Sequence, residues 1–484
     1  MRSMKSLTKT RFAPSPTGLL HIGNLRTALF NVLYARQQQG VFLLRCEDTD
    51  PERSKEAFLQ ALMADLRWLG MDWQEGPEVG GELGPYRQSE RSATYDTYYQ
   101  QLEEADHAYP CFCSPEELAL SRKAQRSAGL PPRYSGKCAH LSASDRQQRL
   151  DDGRQPTLRF RVSNDSVTEF EDLVRGSQAY SGKDIGDFII RRADGSPAFF
   201  FANALDDALM QVNCVLRGED HITNTPRQLM ILNALGLPKA SYGHTSLILG
   251  QDGQPLSKRN GSRSLKELRE MGYFPIAILN HLARLGHHYR DESLMSLQQL
   301  SDGFQLSSLG KAPARHDEFQ LNHWQKLALA AADDGAVLSW LEAHAPEGAV
   351  LRERVPAALL ADFIGAVRAN IAQPAEAYHW AEQFFSDSMQ MSEDAQKVLH
   401  SSPTVLFETA LALLPEAADF RSFAKAVGKS AGVKGKGLFM PLRAALSGEV
   451  HGPEMGQMFP LLGQARVEQR LQQALRLAKI GAES

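Results

Sequence analysis

Apolar residues come in short blocks through the first half of the chain and settle into a helical rhythm beyond about residue 265. TKTRFAP, from Thr8, is a short strand pattern, and VFLLRCED, from Val41, is a buried-strand run. Between them Leu25, Ala28, Leu29 and Val32 share one helical face, so the spacing predicts a helix from Gly23 to Gln39 that stops at Gly40. Strand, helix and strand in about forty residues make a βαβ unit, the beginning of a parallel doubly wound sheet. Phe58, Leu59, Leu62, Met63, Leu66 and Leu69 predict a second helix over Ser54 to Leu69, and Tyr95, Tyr98, Tyr99 and Leu102 a third.

From Ala108 to about Asp184 the texture becomes loop-rich, as an inserted module would be, with CFC, GLPPRYSGKCAH and DRQQRLDDGRQP in succession. DFIIRR and PAFFFAN flank Asp194-Gly195 and predict a β-hairpin. Thr225, Pro226 and Gly236 bracket a helix as N-cap, first-turn proline and C′ glycine. TSLIL predicts a further buried strand that feeds the loop QDGQPLSKRNGS, and PAALLADFIGAVRAN and VEQRLQQALRLAKI typify the helical remainder.

Composition is that of a globular protein, with 43% hydrophobic and 23% charged residues. A formal net charge of −4 excludes a chain that binds nucleic acid through its overall charge, but a local basic stretch such as KAVGKSAGVKGKG suffices for RNA phosphate. Five cysteines do not make a disulfide scaffold, and the polar, basic MRSMKSLTKTRFAPS is neither a signal peptide nor a membrane span. A cytoplasmic location is expected.

Five segments carry chemistry. APSPTGLLHIGN ends a strand, turns at Gly18 and opens a helix near Gly23, whose free N–H groups and positive dipole end suit phosphate; His21 offers a donor, or is a surface histidine on an ordinary turn. LRCEDTDPERS places Glu47, Asp48 and Asp50 at a strand's C-terminal end, where open α/β sheets bind ligands, although Asp50 before Pro51 also reads as a helix cap. Cys111, Cys113, Cys138 and His140 form either a four-ligand zinc set or incidental thiols, while Cys46 and Cys214 read as small core hydrophobes. In VLRGEDHITNTPRQ, Arg217 ends a strand beside an acidic pair and serves a ligand or an internal salt bridge. QDGQPLSKRNGS offers Lys258 and Arg259 on a Gly-rich turn, a phosphate clamp or merely a solvated pair.

In identity and order these blocks, with IIRRADGSPAFFFAN and GVKGKGLFMPLRAALSG, resemble the class I aminoacyl-tRNA synthetases, specifically the bacterial glutamyl-tRNA synthetases, from about Arg11 to Arg470. The resemblance implies a Rossmann-type α/β catalytic domain with an inserted α+β acceptor-stem module, followed by an all-α anticodon-binding region. It divides the chain into catalytic halves at 1–107 and 185–254, the insert at 108–184, a signature loop and stem-contact domain at 255–330, and the helical region at 331–484. It implies L-glutamate, ATP with Mg2+, tRNA-Glu and structural zinc as partners, in a monomer without membrane attachment. Pro14, Gly18, His21, Gly23, Asn24, Ser257, Lys258 and Arg259 match ATP-site positions, with His21 and Lys258 catalytic through the phosphates. Arg11, Ser15, Glu47, Phe199, Asn203 and Arg217 match the glutamate pocket, with Glu47 on the α-amino group and the arginines holding glutamate.

The chain departs from the family at Phe199, where tyrosine is usual, at Pro255, which replaces the first lysine of the signature loop, and at Asn260, often histidine. These departures keep open a second-copy synthetase that prefers or also charges tRNA-Gln, and a catalytically inactive tRNA-binding paralogue. The long helical tail argues against the truncated paralogue that glutamylates a tRNA base, and against a glutaminyl-type enzyme with its β-rich anticodon module.

Overall fold

The computed structural model describes residues 7–256, 262–386 and 388–483, and divides into two compact units. The first holds residues through Lys266 together with Leu279–Asp317; the second holds Glu267–Ile278 and the chain from Glu318 onward.

The first unit opens with β1 (Lys9–Phe12), α1 (Ile22–Gln37) and β2 (Val41–Leu44), and β1 pairs with β2 in parallel, Lys9 opposite Val41. Helix α1 buries Leu25, Ala28, Leu29 and Val32, the face predicted from their spacing. It also buries Asn31, whose Nδ2 donates to the Leu216 carbonyl at 2.9 Å and whose carbonyl accepts from Thr10 Oγ1 at 2.9 Å. Gly40 ends this helix for a reason other than the expected one. The residue at positive φ is Gln39, whereas a Cβ on Gly40 would lie 2.0 Å from the Thr8 carbonyl oxygen, so Gly40 is required by the close approach of two backbones.

Helices α2 (Glu56–Trp68) and α3 (Ser92–Glu104) follow as read from the sequence. Asp50 does not cap α2: its Oδ1 accepts from Arg53 N–H at 3.2 Å in a separate turn, and Lys55 is the N-cap. Next come β3 (Ala108–Cys111), α4 (Pro115–Ser127), β4 (Thr157–Phe160), β5 (Val167–Asp172), β6 (Gly176–Ser181) and β7 (Phe188–Arg191). Strands β3, β4 and β7 form an antiparallel sheet over a core of Tyr95, Tyr99, Phe160, Phe188 and Phe201.

The hairpin expected around Asp194-Gly195 is half present. The turn exists and Arg191 bridges Pro197, but Phe199–Leu209 is a helix. A short apolar run fits a strand and a buried helix equally well. Burial of Phe201, Ala202, Leu205 and Ala208 on a helical spacing decided it here. Similarly, TSLIL is not one strand. The pairing strand is β9 (Ser241–Thr245), beside β8 (Cys214–Gly218), and Ile248–Leu249 pairs separately with Ala314–Arg315. Thr225 lies inside the first turn of helix Thr225–Ala234, with Asn224 at the cap position, which frees its hydroxyl for another task; Gly236 has the expected positive φ.

Strands β8 and β9 are parallel, and the β5–β6 hairpin extends that sheet through β9. β1 adjoins β8: Asn213 N–H donates to the Lys9 carbonyl at 3.1 Å and Lys9 N–H to Asn213 Oδ1 at 2.9 Å. The order β2–β1–β8–β9–β5–β6 therefore reverses direction between β1 and β8. Ligands of open α/β sheets bind at such a point, at the carboxyl ends of the strands.

The second unit is helical. Phe363, Phe384, Phe407 and Phe423 are fully buried at its core, with Trp340, Leu442 and Leu471. Its last helix, Met455–Glu483, is broken at Gly463. The α/β fold with a helical C-terminal region thus agrees with the sequence reading.

Candidate active site

A cavity of about 670 Å3 opens at the β1–β8 reversal. β1 delivers Arg11 and the turn that follows delivers Pro14 and Ser15. β2 leads to Glu47, and β8 delivers Arg217; helix Phe199–Leu209 adds Phe199 and Asn203, and α1 adds Gly23 and Asn24, with His21 at its N-cap. All of these were singled out from sequence and all line one cavity. Gly18 does not line it, and a side chain there would meet no protein atom within 4 Å. Ser257, Lys258, Arg259 and Asn260 lie outside the described residues.

His21 caps α1: its Nδ1 accepts from Gly23 N–H at 3.2 Å, which places the proton of the neutral ring on Nε2. A Cβ on Gly23 would come within 3.1 Å of the His21 ring, so the glycine leaves room for the cap. The start of α1 thus presents an imidazole and helix-terminal N–H groups together, the combination that suits phosphate oxygens. The chain leading into the signature loop is a tight turn: Gly250 N–H donates to the Gln254 carbonyl at 2.9 Å, and Pro255 bridges Leu249 and lines the cavity.

Beneath the cavity floor runs a buried charge network, only part of which the sequence disclosed. Asp207 Oδ1 accepts from Arg11 Nε at 3.2 Å and Arg45 Nη1 at 2.7 Å. Arg45, wholly buried, also reaches Glu47 Oε1 at 3.3 Å. Glu47 Oε1 accepts from Asn203 Nδ2 at 2.6 Å, Asn203 Oδ1 from Gln228 Nε2 at 2.8 Å, and Gln228 Oε1 from Arg217 Nη2 at 2.6 Å. One chain of hydrogen bonds therefore joins Arg217 to Arg11 through five intervening side chains. Burial raises the Glu47 pKa, with Arg45 and Asn203 pulling against it. Burial also opposes the Asp207 carboxylate, yet Arg11 and Arg45 outweigh it and hold Asp207 below its ordinary value.

Arg217 stands apart. Its Nε and Nη2 are engaged by His244, Thr225 and Gln228, but Nη1 is buried with no hydrogen-bond partner among the described residues. Burial lowers its pKa to about 10, still charged at neutral pH. Three guanidiniums, Arg11, Arg45 and Arg217, share two carboxylates, Glu47 and Asp207, and Arg217 reaches a third, Asp172, only through the His244 ring.

The thiol group is separate. Sulfurs of Cys111, Cys113 and Cys138 lie within 4.8 Å of one another, Cys113 and Cys138 at 3.6 Å. His140 is exposed and not part of this group. The fourth polar atom is Tyr134 Oη, 3.3 Å from Cys111 Sγ, 3.6 Å from Cys113 Sγ, and accepting from Cys138 N–H at 2.9 Å. A turn at Gly136, where Ala139 N–H returns to the Gly136 carbonyl, lies between Tyr134 and Cys138. Hydrogen bonds from Cys138, Tyr134 and Arg159 pull the Cys111 thiol down toward thiolate, and the Arg159 guanidinium lies 3.9 Å over the Tyr134 ring. Cys46 and Cys214 are buried free thiols, as expected, and burial pushes Cys214 up to about 12.

Sequence reasoning missed Arg45, Asp207, Thr225, Gln228, His244 and Tyr134. The signals were Arg45 inside the apolar VFLLRC run and the acidic pair in ALDDAL, charges where a strand or helix face should be apolar.

Comparison with known proteins follows the same lines. Residues 8–323 match the family of class I tRNA synthetases (E and Q), catalytic domain, and residues 336–475 match an anticodon binding domain. The chain is 56% identical over 474 residues to a protein of Alkalilimnicola ehrlichii named glutamate–tRNA ligase 2, covering 97% of this chain and 98% of that one. It is 55% identical to the protein of the same name from Nitrosococcus oceani, again over 97% and 98%. Among solved structures, a glutamate–tRNA synthetase from Elizabethkingia anophelis superposes with a TM-score of 0.82 at 27% identity, covering 97% of this chain and all of the other.

Proposed function

Because the chain belongs to the glutamate–tRNA ligase family of class I aminoacyl-tRNA synthetases, and so activates glutamate with ATP and transfers it to tRNA, we propose how its own residues divide that work. The glutamate side chain pairs with Arg217, whose unpartnered Nη1 is the observation that carries the assignment. Glu47 takes the α-ammonium, which favours its ionised form, while Arg11 and Ser15 complete the pocket. A side-chain carboxylate gives Arg217 the direct anionic partner that His244, Thr225 and Gln228 do not supply. Glutamine offers a neutral amide and leaves a buried cation under-paired, a cost of several kcal/mol.

The α-carboxylate of glutamate attacks the α-phosphorus of ATP and pyrophosphate departs; a ribose hydroxyl at the tRNA 3′ end then accepts the glutamyl group. His21 and the start of α1 hold phosphate oxygens, with Pro14, Gly23 and Asn24 shaping the nucleotide side. Ser257, Lys258 and Arg259 are assigned to the pyrophosphate side from sequence alone. Positioning and charge stabilisation carry the rate. Mg2+, which enzymes of this class use, supplies further neutralisation of phosphate charge.

Three thiols and the Tyr134 hydroxyl fit a tetrahedral zinc site: sulfurs 2.3 Å from a common ion stand roughly 3.8 Å apart, close to the Cys113–Cys138 spacing. With four protein groups such an ion would be structural and would tie Cys111 and Cys113 to the 134–138 turn; we assign the 108–184 segment to the tRNA acceptor stem. In the second unit Lys425, Lys429, Lys434 and Lys436 are exposed beside exposed Phe439, a combination suited to RNA phosphate and base stacking. We assign this region to the anticodon arm, in a monomer acting in the cytoplasm.

The departures at Phe199 and Pro255, both on the cavity wall, keep open a second reading, a second-copy enzyme that prefers or also charges tRNA-Gln. Parallel charging of purified tRNA-Glu and tRNA-Gln separates the two. Preference for tRNA-Glu is expected; preference for tRNA-Gln establishes the alternative, and charging of neither removes both.

A further inference from the structure

Arg217 must keep one amino group aimed away from its protein partners if it is to read a carboxylate. Its Nε donates to His244 Nε2 at 3.1 Å, and its Nη2 donates to Thr225 Oγ1 at 2.8 Å and Gln228 Oε1 at 2.6 Å. A guanidinium has five N–H groups and no acceptor. Three are thus fixed, and the two on Nη1 remain.

The proton inventory of His244 follows from this. An arginine N–H always donates, so His244 Nε2 must be a bare lone pair, and the ring proton must sit on Nδ1. Nδ1 faces Asp172 Oδ2 at 2.5 Å. Thr225, accepting from Arg217, turns its own proton to Nε2 at 3.1 Å. Asp172 in turn is pinned: its other oxygen, Oδ1, accepts backbone N–H from Val174 at 2.9 Å, Arg175 at 2.8 Å and His244 at 3.2 Å. Asp172 and His244 are 2% and 0% exposed, and burial keeps His244 below the usual imidazole range, as a neutral ring requires. The three residues come from adjacent strands β5, β9 and β8, with Arg217 directly opposite His244 in the parallel register.

We propose that Asp172 and His244 are a positioning pair that fixes the tautomer needed to hold the Arg217 guanidinium at the cavity wall with Nη1 left without an acceptor among the described residues, and thereby set the preference for glutamate. The proposal rests on Arg217 being the side-chain carboxylate partner.

Asp172→Asn tests it with almost no change of shape. The three backbone N–H groups keep the amide oxygen at the Oδ1 position, so the amide NH2 faces His244 Nδ1. The ring must then accept there and carry its proton on Nε2, donor against donor at Arg217 Nε. In amino-acid-dependent ATP–pyrophosphate exchange by the full chain with tRNA-Glu present, the KM for glutamate should rise about ten- to a hundredfold, the scale of a charge-assisted hydrogen bond. The KM for ATP should stay within about twofold, because the nucleotide side does not touch the pair. A second comparison covers a poorly folded Asp172→Asn. His244→Gln retains an acceptor near the Nε2 position, so its glutamate KM should lie well below that of His244→Leu. Unchanged glutamate KM in Asp172→Asn, equal rises in both KM values, or equal His244→Gln and His244→Leu overturns the proposal. Arg217→Gln separates the two levels: if it too leaves the glutamate KM unchanged, the pocket assignment is wrong, whereas a rise there alone removes only the positioning pair.

Discussion

Replacing Tyr134 with phenylalanine removes one oxygen from the thiol group and leaves the ring that Arg159 covers. If that oxygen is the fourth zinc ligand, its share of the binding energy disappears. Structural zinc sites bind with about 10–16 kcal/mol in total, so one ligand of four accounts for roughly 2.5–4 kcal/mol, or about 100- to 1,000-fold in affinity. The substitution also strips the acceptor from Cys138 N–H, a bond of 2.9 Å, which costs the empty site about 1–3 kcal/mol if no water replaces it. The assay is competition for zinc between the full chain and a chromophoric chelator. Wild type should hold one equivalent, Tyr134→Phe should release it at a chelator concentration about two orders of magnitude lower, and His140→Ala should behave as wild type. The opposite ranking refutes the reasoning, since it would mean that the 138–140 segment reorganises around the ion and brings the exposed imidazole inward. A wild-type chain that binds no zinc refutes the site itself.

Asp207→Asn should destabilise the first unit by about 3–5 kcal/mol, because two buried guanidiniums share that carboxylate. The sign with pH is fixed by its lowered pKa: the wild-type advantage is present above the ordinary aspartate pKa of about 3.9 and is lost as pH falls further through the folded value. Denaturant melts of both proteins between neutral and acid pH will show the gap closing, or remaining constant if Asp207 is not the linked group. Phe199→Tyr restores a hydroxyl to the cavity wall and should lower the glutamate KM by about two- to tenfold; no change or a rise means that the hydroxyl finds no partner there. Lys258→Ala should abolish most exchange activity with tRNA affinity by filter binding near normal, and retained exchange removes Lys258 from the pyrophosphate side.

The parallel sheet and first helix were legible because their apolar spacing has one reading: Leu25, Ala28, Leu29 and Val32 cannot share a strand face. The FFFAN and TSLIL segments were not, since short apolar runs do not distinguish strand from helix and strand ends depend on partners far away. The cavity residues were legible because strand ends and helix starts announce themselves. The network beneath was not. Nothing local tells that Thr225 serves Arg217 instead of capping its helix, or that Asp172, some forty-five positions before Arg217, governs it across two strands. The same limit holds for the zinc set, where His140, two positions from Cys138, is exposed while Tyr134, four positions before it, meets the sulfurs.

Asp207 accepts from both Arg11 and Arg45, and Arg45 reaches on to Glu47. That sharing has an evolutionary consequence. No member can be exchanged singly without stranding a buried charge, at a cost of about 3–5 kcal/mol against the 5–15 kcal/mol that keep a typical domain folded. A lineage drifting toward another amino acid would therefore have to pass through barely folded intermediates or change several positions at once. Residues outside the network carry no such penalty, and Phe199 and Pro255, which line the cavity without joining it, are of that kind.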